Sequence, residues 1–224
     1  MKSRIPKVLH TVGGRSLLGH AIAASGAVGA TRTCVVVRHE RDAVAADALA
    51  ANPQVLIADQ DEIPGTGRAV QCALDALASA GTDLNGPIVV TAADTPLLDG
   101  GTLAELVRAH SESGSAMTVL TAVVKDPSGY GRIVRDGGDV VGIVEDRDAT
   151  DEQRVITEIN TGVYAFDGAL LRETLSAVGS ENSQGEVYLT DVVGIAHNAG
   201  RRVSAVIAED SWAVEGANDK VQLA

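Results

Sequence analysis

The chain has only two cysteines in 224 residues, and neither has a metal-ligand partner at short spacing. Cys34 falls in the β-branched run Thr33-Cys34-Val35-Val36-Val37 and Cys72 in a helical stretch, so two reduced core thiols in a cytosolic protein are expected. The five histidines (His10, His20, His39, His110 and His197) show no metal-ligand spacing either. Basic residues are in deficit: 18 Lys and Arg against 30 Asp and Glu give a net charge of −12. A phosphate polymer or anionic membrane would be repelled over most of such a surface, which excludes nucleic acid and membrane as partners. No window approaches the roughly 18 apolar residues of a membrane span, and the first residues lack the apolar core of a signal peptide. A soluble, cytoplasmic protein is expected. The chain also lacks internal repeats, low-complexity tracts, flexible linkers and any Ser/His/Asp or Cys/His catalytic set.

What is present is a core-forming chain, 45% hydrophobic and 21% charged, of a length that favours one domain. Its most informative segment is an apolar run that stops at an acid, Ile88-Val89-Val90-Thr91-Ala92-Ala93-Asp94, followed by Thr95-Pro96. Such a run reads as a strand buried on both faces of a parallel sheet, with Pro96 ending it. Ligands of α/β sheets bind at the carboxyl ends of strands. Ala92 and Ala93 leave room there, and the Asp94 carboxylate can hold a hard cation such as Mg²⁺. The alternative is that Asp94 merely caps the next turn. The overall charge leaves a small phosphorylated substrate open, because that needs only a local patch, and Lys2, Arg4 and Lys7 lie close together near Arg15.

Strand and helix patterns alternate. Ser16 is a candidate N-cap for a helix carrying Leu17, Leu18, Ala21 and Ile22. Strands are expected at 32–37, 55–58, from 88, 117–124 and 203–208. Helices are expected at 43–51, 67–78, 102–110 (opened by the capping box Thr102-x-x-Glu105), 169–178 and 189–197. Short turn-rich segments at 131–134, 140–145 and 158–166 suggest an antiparallel excursion. The expected fold is therefore α/β: a Rossmann-like, doubly wound mixed sheet with a small antiparallel β insertion. Such folds usually open with a buried strand, whereas this chain opens with a polar, basic segment, so the first strand of the sheet is expected to be missing.

Eight segments follow one another in a recognisable order: Pro6-Lys7-Val8-Leu9, Gln60-x4-Gly65-Thr66-Gly67, Ala93-Asp94-Thr95-Pro96-Leu97, Gly129-Tyr130-Gly131-Arg132-Ile133, Ile143-Val144-Glu145, Glu158-Ile159-Asn160-Thr161-Gly162, Gly185-Glu186-Val187-Tyr188-Leu189-Thr190-Asp191 and Val214-Glu215-Gly216-Ala217-Asn218. In this order they resemble the sugar-1-phosphate nucleotidyltransferases. More closely, they look like the uridylyltransferase domain of the bacterial bifunctional N-acetylglucosamine-1-phosphate uridylyltransferase / glucosamine-1-phosphate acetyltransferases, from about Lys2 to the end.

The resemblance implies transfer of UMP from UTP to N-acetylglucosamine-1-phosphate, with Mg²⁺ held by Asp94 and Asn218 and with Lys7 at the phosphates. It implies that Gln60, Gly65 and Thr66 meet the uracil. The bare backbone of Gly65-Thr66-Gly67 suits close approach to a flat base. It implies that Ala92, Ala93 and Asp94 border the substrate, and that Gly131, Glu145, Asn160, Tyr188 and Thr190 surround the sugar. Asn160 offers both donor and acceptor. Outside the resemblance, Tyr188 reads as a core tyrosine, Thr190 and Asn218 as helix N-caps, and Lys7 as a surface lysine. Phosphoryl transfer of this kind needs positioning and charge neutralisation rather than a nucleophilic side chain.

Three departures from the family pattern stand out. Its glycine-rich phosphate loop, Leu-Ala-Ala-Gly-x-Gly-Thr-Arg-Met, is not here, and Met1 falls at its last position, so residues 1–224 are expected to be an N-terminally truncated nucleotidyltransferase domain. Ala93 replaces the usual glycine before the aspartate. The β-helix repeats of an acetyltransferase half are not in the chain, so that activity is not expected and a monomer is. Two rival readings remain: a relative with another sugar or nucleotide, and a non-catalytic sugar-nucleotide-binding or regulatory protein.

Overall fold

The computed structural model describes residues 5–217 and residue 223. A 3-10 turn, Lys7–Leu9, leads into a small antiparallel pair, β1 (Thr11–Val12) and β2 (Arg15–Ser16). Helix α1 (Leu17–Ala27) follows, opened as the sequence predicts by Ser16, whose Oγ accepts from the Gly19 N–H at 2.9 Å. Strand β3 (Cys34–Val37), helix α2 (Arg41–Ala51) and strand β4 (Leu56–Asp59) form a βαβ unit in which β3 and β4 pair in parallel. Helix α3 (Thr66–Ser79) then leads to β5 (Pro87–Val90), α4 (Gly100–Ser113) and β6 (Met117–Val123).

The hairpin β7 (Arg132–Asp136) and β8 (Asp139–Val144), the single turn α5 (Asp151–Arg154) and the long strand β9 (Glu158–Asp167) come next. Helices α6 (Gly168–Leu175) and α7 (Asp191–Asn198) precede the last strand, β10 (Val203–Ile207). The larger sheet runs β10-β6-β9-β7-β8, with β5 also paired to β9. The α/β class and the mixed sheet are those expected. Among the described residues the β3–β4 pair stands apart from that sheet, and β5 hydrogen-bonds only to β9.

Three expectations are corrected. The acid-terminated run is not a strand up to Pro96: β5 ends at Val90, is antiparallel to β9 and is only partly buried, and Asp94 lies in a turn four residues on. Helix α4 starts at Gly100, not Thr102, because Asp99 is its N-cap and accepts from the Thr102 N–H at 2.8 Å. A carboxylate one turn earlier outcompetes the Thr102 hydroxyl. Residues 158–166 are not part of a peripheral insertion, since β9 lies inside the main sheet and only β7 and β8 extend it.

The course of β9 creates the site. Its C-terminal half lies between β6 and β5, with Tyr164 opposite Val90, while its N-terminal half lies between β6 and β7, with Ile159 opposite Arg132. The exchange of neighbour occurs at a bulge over Thr161 and Gly162, where the register with β6 shifts between Leu120 and Thr121 and Gly162 takes φ +78°. Bulges bend a strand and re-aim its side chains. β5 and β7 thus fork apart at Asn160.

Both faces of the sheet are covered. Val70 and Leu74 of α3, Leu171 of α6 and Val192 of α7 pack on Met117, Val119 and Phe166 from one side. Leu103 and Leu106 of α4 pack on Leu120, Ile159 and Val163 from the other. Leu103 and Leu106 are fully buried, each worth about 1.5–3 kcal/mol by area.

Candidate functional site

The fork brings the acid of the β5 loop next to a lysine from the start of the chain. Lys7 Nζ lies 2.5 Å from Asp94 Oδ2, both side chains partly exposed. The Asp94 backbone carbonyl accepts from the Ala217 N–H at 2.8 Å, which holds the 214–217 segment against it. A Cβ on Gly216 would stand 3.5 Å from all three carboxyl atoms of Asp94. Asn218 lies just beyond and outside the described residues, as do Lys2 and Arg4 of the expected basic patch. The described residues supply one oxygen donor of the kind a hard divalent cation takes, the Asp94 carboxylate, faced by Gly216 and held at Oδ2 by Lys7. Among the described residues no cluster of three His, Cys, Asp or Glu side chains could hold a metal.

On the other arm of the fork, Gly131, Glu145 and Asn160 converge. A Cβ on Gly131 would stand 3.1 Å from Ile143 Cγ2, 3.4 Å from Asn160 Cβ and 3.6 Å from Glu145 Oε2. The Gly131 carbonyl accepts from the Asn160 N–H at 2.8 Å. The Asn160 side chain is fixed from both ends: Nδ2 donates to Tyr164 Oη at 2.7 Å, and Oδ1 accepts from the Gly162 N–H at 3.1 Å. One amide hydrogen and one lone pair remain for a ligand. Gly162 meets Ala92 across the fork, its Cβ position lying 3.8 Å from that of the alanine.

Thr190 opens α7 but does not cap it; its hydroxyl donates to Glu145 Oε1 at 3.0 Å. Burial pushes the Glu145 carboxyl above the usual carboxylate range, and Asp148, Asp191 and Asp146 add to this against the Thr190 hydrogen bond. Tyr188 is buried, and its Oη accepts from Gln184 Nε2 at 2.7 Å, while Gln184 Oε1 accepts from Arg147 at 2.7 Å.

The segment carrying Tyr188 and Thr190 also seats the Gly65-Thr66-Gly67 loop. Val187 exchanges backbone hydrogen bonds with Pro64 (3.0 Å) and Gly67 (2.8 Å), and Thr66 Oγ1 accepts from the Leu189 N–H at 3.0 Å. Gly65 makes room for the 187 backbone, since a Cβ there would lie 2.2 Å from the Val187 carbonyl oxygen. Gln60 turns its amide onto its own loop, donating to the carbonyls of Ile63 (3.0 Å) and Gly65 (3.1 Å).

Sequence reasoning gave no role to four residues of this region. Tyr130 carries a buried hydroxyl with no hydrogen-bond partner. Burial raises its pKa, helped by the charges of Glu215 and Asp94. Tyr164, Gln184 and Arg132 hold Asn160, Tyr188 and the Glu145 strand end. The one available signal was Arg132, a charge entering the apolar strand Ile133-Val134.

The mixed α/β sheet is that of the nucleotide-diphospho-sugar transferase fold. The chain is similar in fold to a nucleoside-diphosphate-sugar pyrophosphorylase from Vibrio cholerae (TM-score 0.71, 18% identity, 92% of this chain and 85% of that one). It is also similar to a UDP-glucose pyrophosphorylase solved with UDP-glucose (TM-score 0.66, 16% identity, 90% and 82%). The Nucleotidyl transferase family profile matches residues 2–218, and the chain belongs to that family. It is 56% identical over 225 residues to the bifunctional protein GlmU of Pseudarthrobacter chlorophenolicus, covering 100% of this chain and 46% of that protein. With GlmU of Streptomyces coelicolor the identity is 50% over 226 residues, again covering 100% of this chain and 46% of the relative. The chain spans about half the length of the curated relatives it matches. No described helix is long and apolar enough to cross a membrane.

Proposed function

We infer that this chain transfers UMP from UTP to N-acetylglucosamine-1-phosphate, releasing pyrophosphate and UDP-N-acetylglucosamine for cell-wall precursor synthesis in the cytoplasm, acting as a monomer. The observation that carries the reading is the convergence of Gly131, Glu145 and Asn160 on one arm of a fork whose other arm presents Asp94 beside Lys7.

In this reading a phosphate oxygen of the sugar phosphate forms a bond to the α-phosphorus of UTP as the bond to pyrophosphate breaks. Glu145 accepts from sugar hydroxyls and Asn160 uses its spare donor and acceptor. Tyr188 and Thr190 close the pocket, Ala92 and Ala93 border it, and the backbone of the Gly65-Thr66 loop with Gln60 flanks the uracil. Lys7 supplies positive charge to the phosphates. Asp94 and Asn218 would hold Mg²⁺, which when bound neutralises phosphate charge in the transition state.

The test is pyrophosphate release by this chain with UTP, N-acetylglucosamine-1-phosphate and Mg²⁺, beside calorimetric titration with UDP-N-acetylglucosamine. Turnover needing both substrates supports the reading, whereas binding of the product without turnover favours the non-catalytic, sugar-nucleotide-binding one. A folded sample that neither turns over nor binds overturns it.

A further inference from the structure

The side chain of Arg132, the first residue of β7, is buried to 2% exposure. Its Nη2 donates to Asp146 Oδ1 at 2.9 Å, its Nη1 donates to the carbonyl oxygen of Tyr130, and its Nε is buried with no partner. A buried ion pair is weak evidence for stability, because desolvation offsets much of the attraction and an apolar replacement is often neutral or better. Its place in the ladder suggests what it does instead.

The antiparallel ladder of β7 and β8 runs outward to Arg132 opposite Val144 and stops there. The next pair along would be Gly131 and Glu145, and the next Tyr130 and Asp146. Neither belongs to the ladder, yet Gly131 and Glu145 are the two residues that converge with Asn160. Arg132 is also where β7 meets β9, opposite Ile159. Its planar fork reaches past the unpaired step and holds Tyr130 with one arm and Asp146 with the other. A bidentate guanidinium suits this task, since two donors in fixed geometry set a separation that a single ammonium cannot.

We propose that Arg132 is a positioning residue that clamps the open ends of β7 and β8 through Tyr130 and Asp146, and so sets the spacing of Gly131 and Glu145 for the sugar. The clamp itself is a statement about the backbone; its effect on sugar use rests on the function proposed above. Arg132 does not touch substrate in this scheme.

The experiment compares the full chain with Arg132→Met, Arg132→Lys and Asp146→Asn by amide hydrogen exchange and by steady-state kinetics. The first keeps length without donors, and the second keeps charge without the fork. Asp146→Asn weakens one arm while leaving Arg132 intact, should the Arg132→Met protein not fold. The expected result is exchange about ten-fold faster or more at Asn160, whose N–H donates to the Gly131 carbonyl, with Val134 and Gly142 inside the hairpin unchanged. KM for the sugar phosphate should rise about ten-fold while KM for UTP moves by less than about three-fold. Lysine should not rescue either readout.

Unchanged exchange at Asn160 in all folded variants overturns the clamp, as does full rescue by Arg132→Lys. Faster exchange with equal rises in both KM values overturns the sugar-specific part. A wild-type chain that turns over no sugar phosphate counts against the proposed function, and the exchange comparison then still decides the clamp.

Discussion

The hydroxyl of Thr190 donates to Oε1 of Glu145 across 3.0 Å, joining the residue before one helix to the residue after a strand 45 residues earlier. The Glu145 carboxyl is raised chiefly by burial, then by its acidic neighbours. A group whose folded pKa lies above its unfolded value contributes stability that is complete below the unfolded pKa and lost as pH rises through the folded one. Glu145→Gln should therefore melt higher than the wild type near pH 8. The gap should close on acidification towards the ordinary glutamate pKa of about 4.3. The same variant should use the sugar phosphate poorly, because a carboxylate acceptor is replaced by an amide. Parallel thermal melts from pH 4 to 8 check this; a gap that does not depend on pH would remove Glu145 as its source.

Tyr164 gives a second handle, because it touches Asn160 from inside the core. It is 4% exposed, and its Oη is the acceptor for Asn160 Nδ2 at 2.7 Å. Tyr164→Phe leaves the ring packing against Phe166 and removes one hydrogen bond, a loss of about 1–2 kcal/mol. Freed from that partner, the Asn160 amide can rotate. KM for the sugar phosphate should rise several-fold with little change for UTP, and Asn160→Ala should show the same selectivity more strongly. Equal losses for both substrates would count against Asn160 as a sugar contact.

Asp94 and Lys7 form a partly exposed pair, so neither holds the fold together. Asp94→Asn should keep the melting temperature within a few degrees and cut turnover by about 10² or more, in line with loss of a charged group at a transition state. Chelation of divalent cations should abolish wild-type turnover, and added Mg²⁺ should restore it. Near-normal turnover by Asp94→Asn would dismiss Asp94 as the cation ligand.

Much of this architecture is legible in the chain because it is written in local signals. Ser16 announces α1 through its short polar side chain, and the β-branched runs at Cys34–Val37 and Met117–Val123 mark strands without tertiary help. The order of the motifs places Asp94, Gly131, Glu145 and Asn160 in one region. What stays hidden depends on partners distant in sequence. Nothing local says that β9 changes neighbour at Gly162, or that β5 stops at Val90 because the fork begins there. Thr190 reads as an N-cap because its acceptor, Glu145, comes from another strand. Nor does anything local say that Val187, 122 residues away, fills the Cβ position of Gly65.

That last contact makes the sharpest steric prediction. Gly65 takes φ +120° with ψ 154°, a region open essentially only to glycine, and a Cβ there would stand 2.2 Å from Val187 O and 2.5 Å from Val187 N. Gly65→Ala should cost about 2–4 kcal/mol and lower the melting temperature by several degrees. Gly185→Ala is the control: φ is +66° but nothing lies within 4 Å of the new methyl, so only the backbone cost of about 1 kcal/mol applies. Because the displaced Val187 sits next to Tyr188 and three residues before Thr190, Gly65→Ala should raise KM for the sugar phosphate as well as for UTP. A rise confined to UTP would mean that the 65–67 loop moves alone and that Val187 does not tie the base side of the site to the sugar side.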